Sequence, residues 1–240
     1  MEIVVPLAGP DFELACGKTK AEILVDGQPL LVRALTSRSW WRRGDVSAEN
    51  FVFVLRKTER SQAFARERLD DWFPGCRTVF LSAPTQGAAF SVLAGVALCD
   101  PDQVLCVDLA DIFYQDEFCP RAAFAGDRTL GGAIPVFPSN WPMYSYVDMD
   151  ETGHVNRTAE KVVISNHASA GTYFFRSSAE YCLSINHAVR NRSSQTYKNL
   201  FFVCPLLNGV IASGANVRAF NVSEVVDVKA LAEPHASGSG

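Results

Sequence analysis

The stretch that most constrains the fold of this chain is QVLCVDLADIFY, residues 103–114. Its apolar run at 104–107 does not alternate with polar residues, which is typical of a strand buried on both faces of a parallel sheet. Asp108 and Asp111 follow this run. Ligands of open α/β sheets collect at the carboxyl ends of strands, and Mg²⁺ prefers carboxylate oxygens, so the pair predicts a metal site there. The same pattern is also typical of aspartates that cap a helix or shape a turn, and the stretch alone allows both interpretations.

The first half of the chain alternates between strand-like and helix-like segments. Short apolar runs predict strands at 2–7, 50–55, 77–81 and 104–107, and helical spacing of apolar residues predicts helices at 29–35, 59–72 and 85–98. Strands that alternate with helices in this way indicate a doubly wound α/β sheet.

After residue 130 the pattern changes to closely spaced strands. We expect strands at 131–137, 144–149, 155–156, 162–165, 171–175 and, as the last strand, 217–222, with one helix at 179–190. The turn DETG between the second and third of these strands predicts a hairpin. Since no linker or composition shift interrupts the chain, we expect a single domain over 1–234 and a flexible tail over 235–240.

Composition narrows the class of protein. The chain is 48% hydrophobic and 20% charged, which is enough to bury a sizeable core, and its formal net charge of −4 argues against broad binding of nucleic acids or membrane surfaces. A strand-like start at Glu2 leaves no room for a signal peptide, and no apolar run approaches the length of a membrane helix, so we expect a cytoplasmic protein. Seven cysteines without a CxxC motif predict reduced, mostly buried thiols and no zinc site.

Four stretches, taken in order, resemble the sugar-phosphate nucleotidyltransferase family. They are VVPLAG at 4–9 with KAEILVDGQPLL at 20–31, TQGAA at 85–89, the strand that leads to Asp111, and AEKVVISNHASAGTYFF at 159–175. Residues 208–211 and 227–231 match more loosely. Among the family, the chain is most similar to capsule-type and choline-phosphate-type cytidylyltransferases. The resemblance implies a GT-A-type α/β fold, with a Rossmann-like mixed, mostly parallel sheet flanked by helices and a small substrate lobe.

The resemblance also implies a reaction. A small phosphorylated acceptor, either a sugar phosphate or a phospho-alcohol, would attack the α-phosphate of CTP or another pyrimidine nucleoside triphosphate and release pyrophosphate. Such a transfer depends on alignment and charge neutralisation more than on a protein nucleophile. By the same resemblance, Asp111 and Asp227 would hold Mg²⁺, with Asp108 in reserve, and Lys20 would neutralise charge on the phosphates. Lys20 and Asp111 would be the catalytic residues.

The remaining residues implied by the resemblance would contact the substrates. Gln86 and Gly87 would hold the nucleobase, by amide hydrogen bonds and by close backbone approach, and Lys161 would face the acceptor phosphate. The full substrate-binding set is Leu7, Ala8, Gly9, Gln86, Gly87, Glu160, Lys161 and Asn208.

Each of these residues also has an ordinary structural interpretation. Lys20 could be a surface lysine, and Glu160 with Lys161 could be a solvated ion pair of little energetic value. The segment 86–87 could cap the following helix, and Asp227 could be structural. The sequence leaves these alternatives open.

The first loop departs from the family pattern. The family usually carries glycines and an arginine there, which supply backbone N–H groups and a cation for the triphosphate. This chain has Gly9, Pro10, Asp11, Phe12 and Glu13. Proline offers no N–H group, and the two carboxylates would repel phosphates. Either the acidic side chains point elsewhere and nearby lysines compensate, or triphosphate binding is altered or lost.

Two rival functions follow from these observations. A glycosyltransferase of the same fold would use the aspartates to hold a metal against a nucleotide sugar. A non-catalytic sensor would keep the fold and bind nucleotide without consuming it. In either case we expect small-molecule ligands and neither nucleic acid nor membrane as partners, and a homo-oligomer is compatible with the sequence.

Overall fold

The computed structural model describes residues 1–227. The predicted tail at 235–240 and most of the loose match at 227–231 lie outside the described residues. The strands are β1 (Glu2–Pro6), β2 (Leu24–Val25), β3 (Gln28–Pro29), β4 (Phe51–Arg56), β5 (Arg77–Leu81), β6 (Leu105–Asp108), β7 (Ile112–Gln115), β8 (Leu130–Pro138), β9 (Ser145–Met149), β10 (Val155–Glu160), β11 (His167–Ser169), β12 (Thr172–Phe175), β13 (Thr196–Tyr197), β14 (Leu200–Phe201), β15 (Asn216–Asn221) and β16 (Ser223–Asp227).

The helices lie between these strands. They are α1 (Leu30–Thr36), α2 (Ser39–Arg42), α3 (Glu59–Phe64), α4 (Asp70–Trp72), α5 (Ala88–Val96), α6 (Pro120–Gly126), α7 (Ser178–Arg190), α8 (Arg192–Gln195) and α9 (Leu207–Ala212). A π-helical segment, Ala65–Leu69, joins α3 to α4, so the helix predicted over 59–72 is continuous. No helix in the described part of the chain is long and apolar enough to cross a membrane.

One mixed sheet forms the centre of the molecule. Its strand order is β10-β9-β11-β8-β12-β6-β1-β4-β5, and β15 pairs with β8 in addition. The pairings β6–β1, β1–β4, β4–β5 and β15–β8 are parallel, whereas β12 runs antiparallel to both of its neighbours. Following the pairings, only β10, β11 and β12 run against the direction of the other strands. This arrangement confirms the predicted Rossmann-like mixed sheet flanked by helices.

The core lies on both faces of the sheet, as the unbroken apolar runs predict. Ile3, Phe51 and Phe53 face a cluster that includes the first helices, and Val4 and Val107 face a second cluster that includes α5, α7 and α9. All five of these side chains are fully buried. Burying both faces of a strand requires helices on both sides, and these helices leave the carboxyl edge of the parallel strands open for loops.

Two predicted strands differ from the structure. The strand predicted at 162–165 is wrong: β10 ends at Glu160, Lys161 takes a left-handed φ of +53°, and the chain bends away until β11. Val162 and Val163 are therefore exposed instead of buried. The strand predicted at 217–222 is confirmed as β15, but it is not the last strand, because β16 follows and pairs with β7.

The cysteine prediction is confirmed in part. All seven cysteines are free. However, only Cys106 and Cys204 are buried, and Cys16 and Cys182 are exposed, so the expectation that most of the thiols are buried is wrong. The exposed thiols lie outside the sheet, in the first loop and on the outer surface of α7.

Candidate active site

Asp111 lies in a three-residue loop between two buried strands. β6 ends at Asp108 and β7 begins at Ile112, so the loop leaves the carboxyl edge of the sheet. Gly171 packs against this loop with a φ of +78°, and a Cβ atom at Gly171 would lie 3.2 Å from Oδ1 of Asp111. The Leu109 N–H donates a hydrogen bond of 2.9 Å to the Gly171 carbonyl. A glycine is needed here because a side chain would crowd the carboxylate and the left-handed backbone is strained for other residues.

The structure brings Asp227 to the same place. β16 pairs antiparallel with β7, and Asp227 stands opposite Ile112, the residue next to Asp111. Asp227 is largely buried. Antiparallel pairing therefore brings together two carboxylates that are far apart in the sequence, as the family resemblance implies.

Tyr144 is hydrogen-bonded to one of these carboxylates, and the sequence gives no indication of this contact. Its hydroxyl donates a hydrogen bond of 2.8 Å to Oδ2 of Asp227. Burial raises the pKa of Tyr144, and the hydrogen bond to Asp227 and the negative charges of Asp227 and Asp111 raise it further. The phenol therefore keeps its proton and remains a donor at neutral pH. Its position at the start of a predicted strand gave no signal of this role.

Asp108, which the resemblance keeps in reserve as a metal ligand, forms a buried ion pair in the protein core. Arg38 donates to both of its oxygens, from Nε at 2.7 Å and from Nη2 at 3.0 Å. The Ala110 N–H and the Thr172 hydroxyl donate to it as well, at 2.8 and 3.1 Å. Since both Asp108 and Arg38 are fully buried, Asp108 balances the arginine and is not exposed at the site. Arg38 was not among the residues selected from the sequence, because nothing in the local pattern distinguishes it from a surface arginine.

The first loop leaves the same edge of the sheet as Asp111, because β1 and β6 are parallel neighbours. Leu7 is buried, and Ala8 and Gly9 are half-buried. The Leu7 N–H donates to the Val54 carbonyl at 2.7 Å, so the first residue of the loop is held in place by β4.

The acidic residues of this loop have partners within the chain. Glu13 turns towards the start of α3 and accepts hydrogen bonds from the hydroxyls of Thr58 and Ser61. Asp11 forms an ion pair of 3.1 Å with Lys20. The Glu13 side chain therefore points towards α3, in agreement with the interpretation that the acidic residues of the loop do not face the phosphates. Asp11 stays beside the lysine that the resemblance assigns to the phosphates.

The segment at 85–87 turns from β5 into α5. Gly87 has a φ of +111°, and a Cβ atom there would overlap the Phe201 backbone. The Phe201 N–H donates to the Gln86 carbonyl at 2.9 Å, and the Thr85 hydroxyl bonds to the Gly87 carbonyl at the same distance. The close approach at Gly87 is thus made by Phe201, and the Gln86 side chain is exposed at the edge of the sheet.

Glu160 is the last residue of β10, and Lys161 follows it beside Tyr144. The Lys161 N–H donates to the Tyr144 carbonyl at 3.1 Å, and Glu160 accepts a hydrogen bond from the Ser145 hydroxyl. The Lys161 ammonium lies 5.5 Å from the centres of the Tyr197 and Phe202 rings. The EK motif is therefore joined through one backbone hydrogen bond to the residue that contacts Asp227.

Asn208 joins two elements behind this motif. Its Oδ1 accepts from the Thr158 N–H at 2.8 Å, and its Nδ2 donates to the Thr158 carbonyl at 3.0 Å and to Gln195 at 3.2 Å. Because both ends of the amide are used in this way, Asn208 tethers β10 to α9 in this structure.

The carboxylates fit a hard divalent cation that also needs substrate oxygens. No group of three or more histidine, cysteine, aspartate or glutamate side chains that could hold a metal occurs within residues 1–227. A pair such as Asp111 and Asp227 is nevertheless typical of Mg²⁺ sites, in which one or two carboxylates, water and substrate phosphates complete the shell.

Comparison with known proteins shows the fold. No protein-family model matches the chain, and no curated protein matches it. A nucleoside-diphosphate-sugar pyrophosphorylase from Vibrio cholerae RC9 is similar in structure, with a TM-score of 0.78, 21% identity and 95% of each chain covered. An inositol-1-phosphate CTP transferase from T. maritima has a TM-score of 0.64 at 15% identity, covering 94% of this chain and 86% of that chain. A UDP-glucose pyrophosphorylase from Acinetobacter baumanii has a TM-score of 0.64 at 13% identity, covering 94% and 87%.

Proposed function

We propose that this chain, which has the fold of the sugar-phosphate nucleotidyltransferases, transfers a nucleoside monophosphate from a nucleoside triphosphate to a small phosphorylated acceptor. The observation that carries the proposal is the pairing of β16 with β7, which sets Asp227 opposite Ile112, the neighbour of Asp111. Tyr144 is hydrogen-bonded both to Asp227 and to the EK motif. An oxygen of the acceptor phosphate bonds to the α-phosphorus. The bond from that phosphorus to the bridging oxygen breaks, and pyrophosphate leaves with the electron pair.

Mg²⁺ fits the proposed reaction. Asp111 and Asp227 would hold it, and when bound it would neutralise charge on the triphosphate. Tyr144 orients Asp227 by its hydrogen bond, and Gly171 leaves the space that the Asp111 carboxylate occupies. The protein's contribution is to place these groups before the substrates arrive.

The two lysines act on different substrates. When the nucleoside triphosphate binds, Lys20 leaves Asp11 and pairs with a phosphate oxygen. The Lys20–Asp11 ion pair is partly exposed, and such pairs contribute roughly 0–1 kcal/mol to stability, so breaking it costs little. Lys161 contacts the acceptor phosphate beside Tyr197 and Phe202. We expect Lys20→Ala to lower kcat with the nucleoside triphosphate, and Lys161→Ala mainly to raise KM for the acceptor. Identical kinetic profiles would contradict this division.

We propose a pyrimidine nucleotide, with CTP first. Gln86 presents one amide at a turn of small residues, which suits the compact edge of a pyrimidine. The names of the similar structures, which mention CTP and UDP-glucose, support the same choice. Because the Gln86 side chain is exposed, we expect a preference for pyrimidines below the roughly 10⁴-fold that a fully buried hydrogen-bonding site reaches. The proposed setting is the cytoplasmic supply of activated sugars or alcohols, as in capsule-type pathways.

The test is pyrophosphate release with CTP, UTP, dTTP, ATP and GTP against a set of phosphorylated sugars and alcohols. We expect release only when both substrates are present, and the highest kcat/KM with a pyrimidine. Asp111→Ala should abolish release while the variant stays folded, whereas Asp71→Ala on the exposed surface of α4 serves as the control. Better turnover with ATP or GTP would contradict the choice of base.

A nucleotide sensor is the second candidate, and the first loop favours it. Pro10 offers no N–H group, and Asp11 holds the lysine proposed for the phosphates. A sensor would give a binding signal with the nucleotide in isothermal titration. It would form no pyrophosphate, whichever acceptor is added. A glycosyltransferase would instead consume a nucleotide sugar and release the nucleoside diphosphate.

A further inference from the structure

The proposed reaction leaves a buried charged network beneath Asp111 without a role. Arg38 and Asp108 form a bidentate ion pair, and the Arg38 guanidinium lies 3.9 Å from the centre of the Tyr114 ring. The Tyr114 hydroxyl donates to Thr172 at 2.8 Å, and Thr172 donates to Asp108 at 3.1 Å. The four side chains thus form a closed ring, and each is at most 2% exposed.

This network holds the loop that carries Asp111 at both ends. Asp108 accepts the Ala110 N–H at 2.8 Å, and Arg38 Nη2 donates to the Ile112 carbonyl at 3.0 Å. Together they fix the residues immediately before and after Asp111. The Leu109 N–H is held separately by the Gly171 carbonyl. The backbones of Leu109, Ala110 and Ile112, which surround Asp111, are therefore each held by a hydrogen bond.

The loop backbone needs such an anchor. Ala110 has a φ of +53°, a left-handed conformation that is strained for a residue other than glycine. The hydrogen bond from its N–H to Asp108 compensates for that strain. If the anchor were lost, the loop could relax to a conformation that moves Asp111 away from Gly171 and Asp227.

Stability alone is a poor reason for this ion pair. Apolar residues of similar volume often stabilise a core as well as a buried ion pair does. In addition, Nη1 of Arg38 is buried and has no hydrogen-bond partner within residues 1–227. An arrangement selected only to stabilise the core would not leave a buried donor unsatisfied.

We propose that the Arg38–Asp108 pair positions Asp111: it clamps loop 109–111 so that the Asp111 carboxylate stands beside Asp227 ready for a divalent cation. Arg38 is a positioning residue, since it acts through the loop and does not touch the substrate. This inference rests on the proposed function, because it presumes a cation between Asp111 and Asp227.

The test replaces the pair as a unit. Arg38→Met/Asp108→Leu removes both charges together and keeps the volume, which avoids an unpaired buried charge. Thr172→Val is a milder variant that removes the hydrogen bond donated to Asp108 and the one accepted from Tyr114. The matched control is Arg77→Met/Glu2→Leu, which removes an ion pair at the opposite, amino edge of the same sheet.

Two readouts are taken on each variant. The first is binding of Mn²⁺ without any other ligand, which is measured as the decrease in the electron paramagnetic resonance signal of free Mn²⁺. The second is amide hydrogen exchange of the peptide that spans residues 109–112, without metal. Groups that orient metal ligands typically change metal affinity by 10- to 100-fold. We expect Mn²⁺ binding at least tenfold weaker and faster exchange in the double variant, a smaller effect of the same kind in Thr172→Val, and neither effect in the control.

The outcomes separate this inference from the proposed function. Wild-type affinity for Mn²⁺ in the folded double variant overturns the clamp and leaves the proposed function intact. If the double variant does not fold, Thr172→Val decides: unchanged Mn²⁺ affinity and unchanged exchange overturn the clamp. Because substrate oxygens complete the proposed metal shell, a wild-type chain that binds no Mn²⁺ on its own leaves the decision to hydrogen exchange. Unchanged exchange of residues 109–112 in the double variant then overturns the clamp.

Discussion

At the scale of single residues, Tyr144 is the group whose loss tests the geometry of the site most simply. Its hydroxyl is the donor to Asp227, so Tyr144→Phe leaves the carboxylate less well oriented. We expect the apparent affinity for Mg²⁺, measured from the dependence of turnover on metal concentration, to fall by about tenfold or more. The matched control is Tyr146→Phe, which removes a hydroxyl that donates to the Trp141 carbonyl at 2.7 Å. Equal effects of the two substitutions would contradict the role of Tyr144.

Glu13 gives a prediction about pH. The hydrogen bond from Thr58 lowers the pKa of Glu13, partial burial opposes this, and the bond from Ser61 lowers it further. A carboxyl with a lowered pKa contributes stability above its unfolded pKa of 4.5, and this contribution is lost as the pH falls through the folded value. The free energy of unfolding of Glu13→Gln should therefore depend less on pH below about pH 5 than that of the wild type.

Denaturant melts between pH 3 and pH 7 measure this difference. The control is Glu151→Gln, which removes an exposed carboxyl in the hairpin turn. If Glu13→Gln and the wild type lost stability in parallel on acidification, the first loop would not be held to α3 by this carboxylate.

The sequence could predict site residues only where a motif marks them. Asp111 follows a buried strand, and Asp227 was inferred from a loose match, yet the structure pairs their strands. Arg38 and Tyr144 have no local signal, because their roles depend on contacts with residues distant in the sequence. Burial and partners of such residues follow from topology and cannot be read from a window of sequence.

At the scale of elements, the start of α5 is the most constrained junction. Gly87 has a left-handed φ, and any Cβ atom there overlaps the Phe201 carbonyl oxygen of β14. Gly87→Ala should therefore lower the free energy of unfolding by more than about 2 kcal/mol, through backbone strain and displacement of β14. Gly126→Ala, at the end of α6 with open space around it, is the control and should change stability little.

Thermal or denaturant unfolding of the two variants decides between two interpretations of Gly87. Equal stability of Gly87→Ala and Gly126→Ala would mean that β14 shifts to accommodate the Cβ atom without loss of stability. The close contact with Phe201 would then not be the reason for a glycine at position 87. A large loss at Gly87 alone supports a structural reason for the glycine, in addition to any contact with a nucleobase.

Element types were predictable where apolar periodicity is strong. The strands around the parallel core and the helix at 59–72 follow directly from their patterns. The failure at 162–165 has a physical reason: an apolar pair looks like a strand, but the left-handed turn at Lys161 has already left the sheet. β16 was not predicted as a separate strand because its pairing with β7 is decided by chain topology.

At the scale of the whole molecule, the proposed site lies where loops of the central sheet adjoin the separate two-stranded sheet of β7 and β16. The loops after β1, β5, β6 and β8 leave the same edge, and β16 returns to close that edge beside β7. Ligand sites of open α/β sheets generally lie at such an edge, which supports the proposal that a nucleotide, an acceptor and a cation bind there together. The fold is shared with solved structures at 13–21% identity, so the architecture is retained although most side chains differ.

The central claim is that this edge transfers a nucleoside monophosphate, and ³¹P nuclear magnetic resonance tests it most directly. The wild-type chain is incubated with CTP, Mg²⁺ and the best phosphorylated acceptor from the screen. We predict that pyrophosphate appears together with a new diphosphate-linked product in equal amounts, that the acceptor phosphate signal disappears at the same rate, and that Asp111→Ala gives neither product. The account would be contradicted if the wild-type chain bound CTP but left the triphosphate and acceptor signals unchanged, or if CTP were hydrolysed without a diphosphate-linked product.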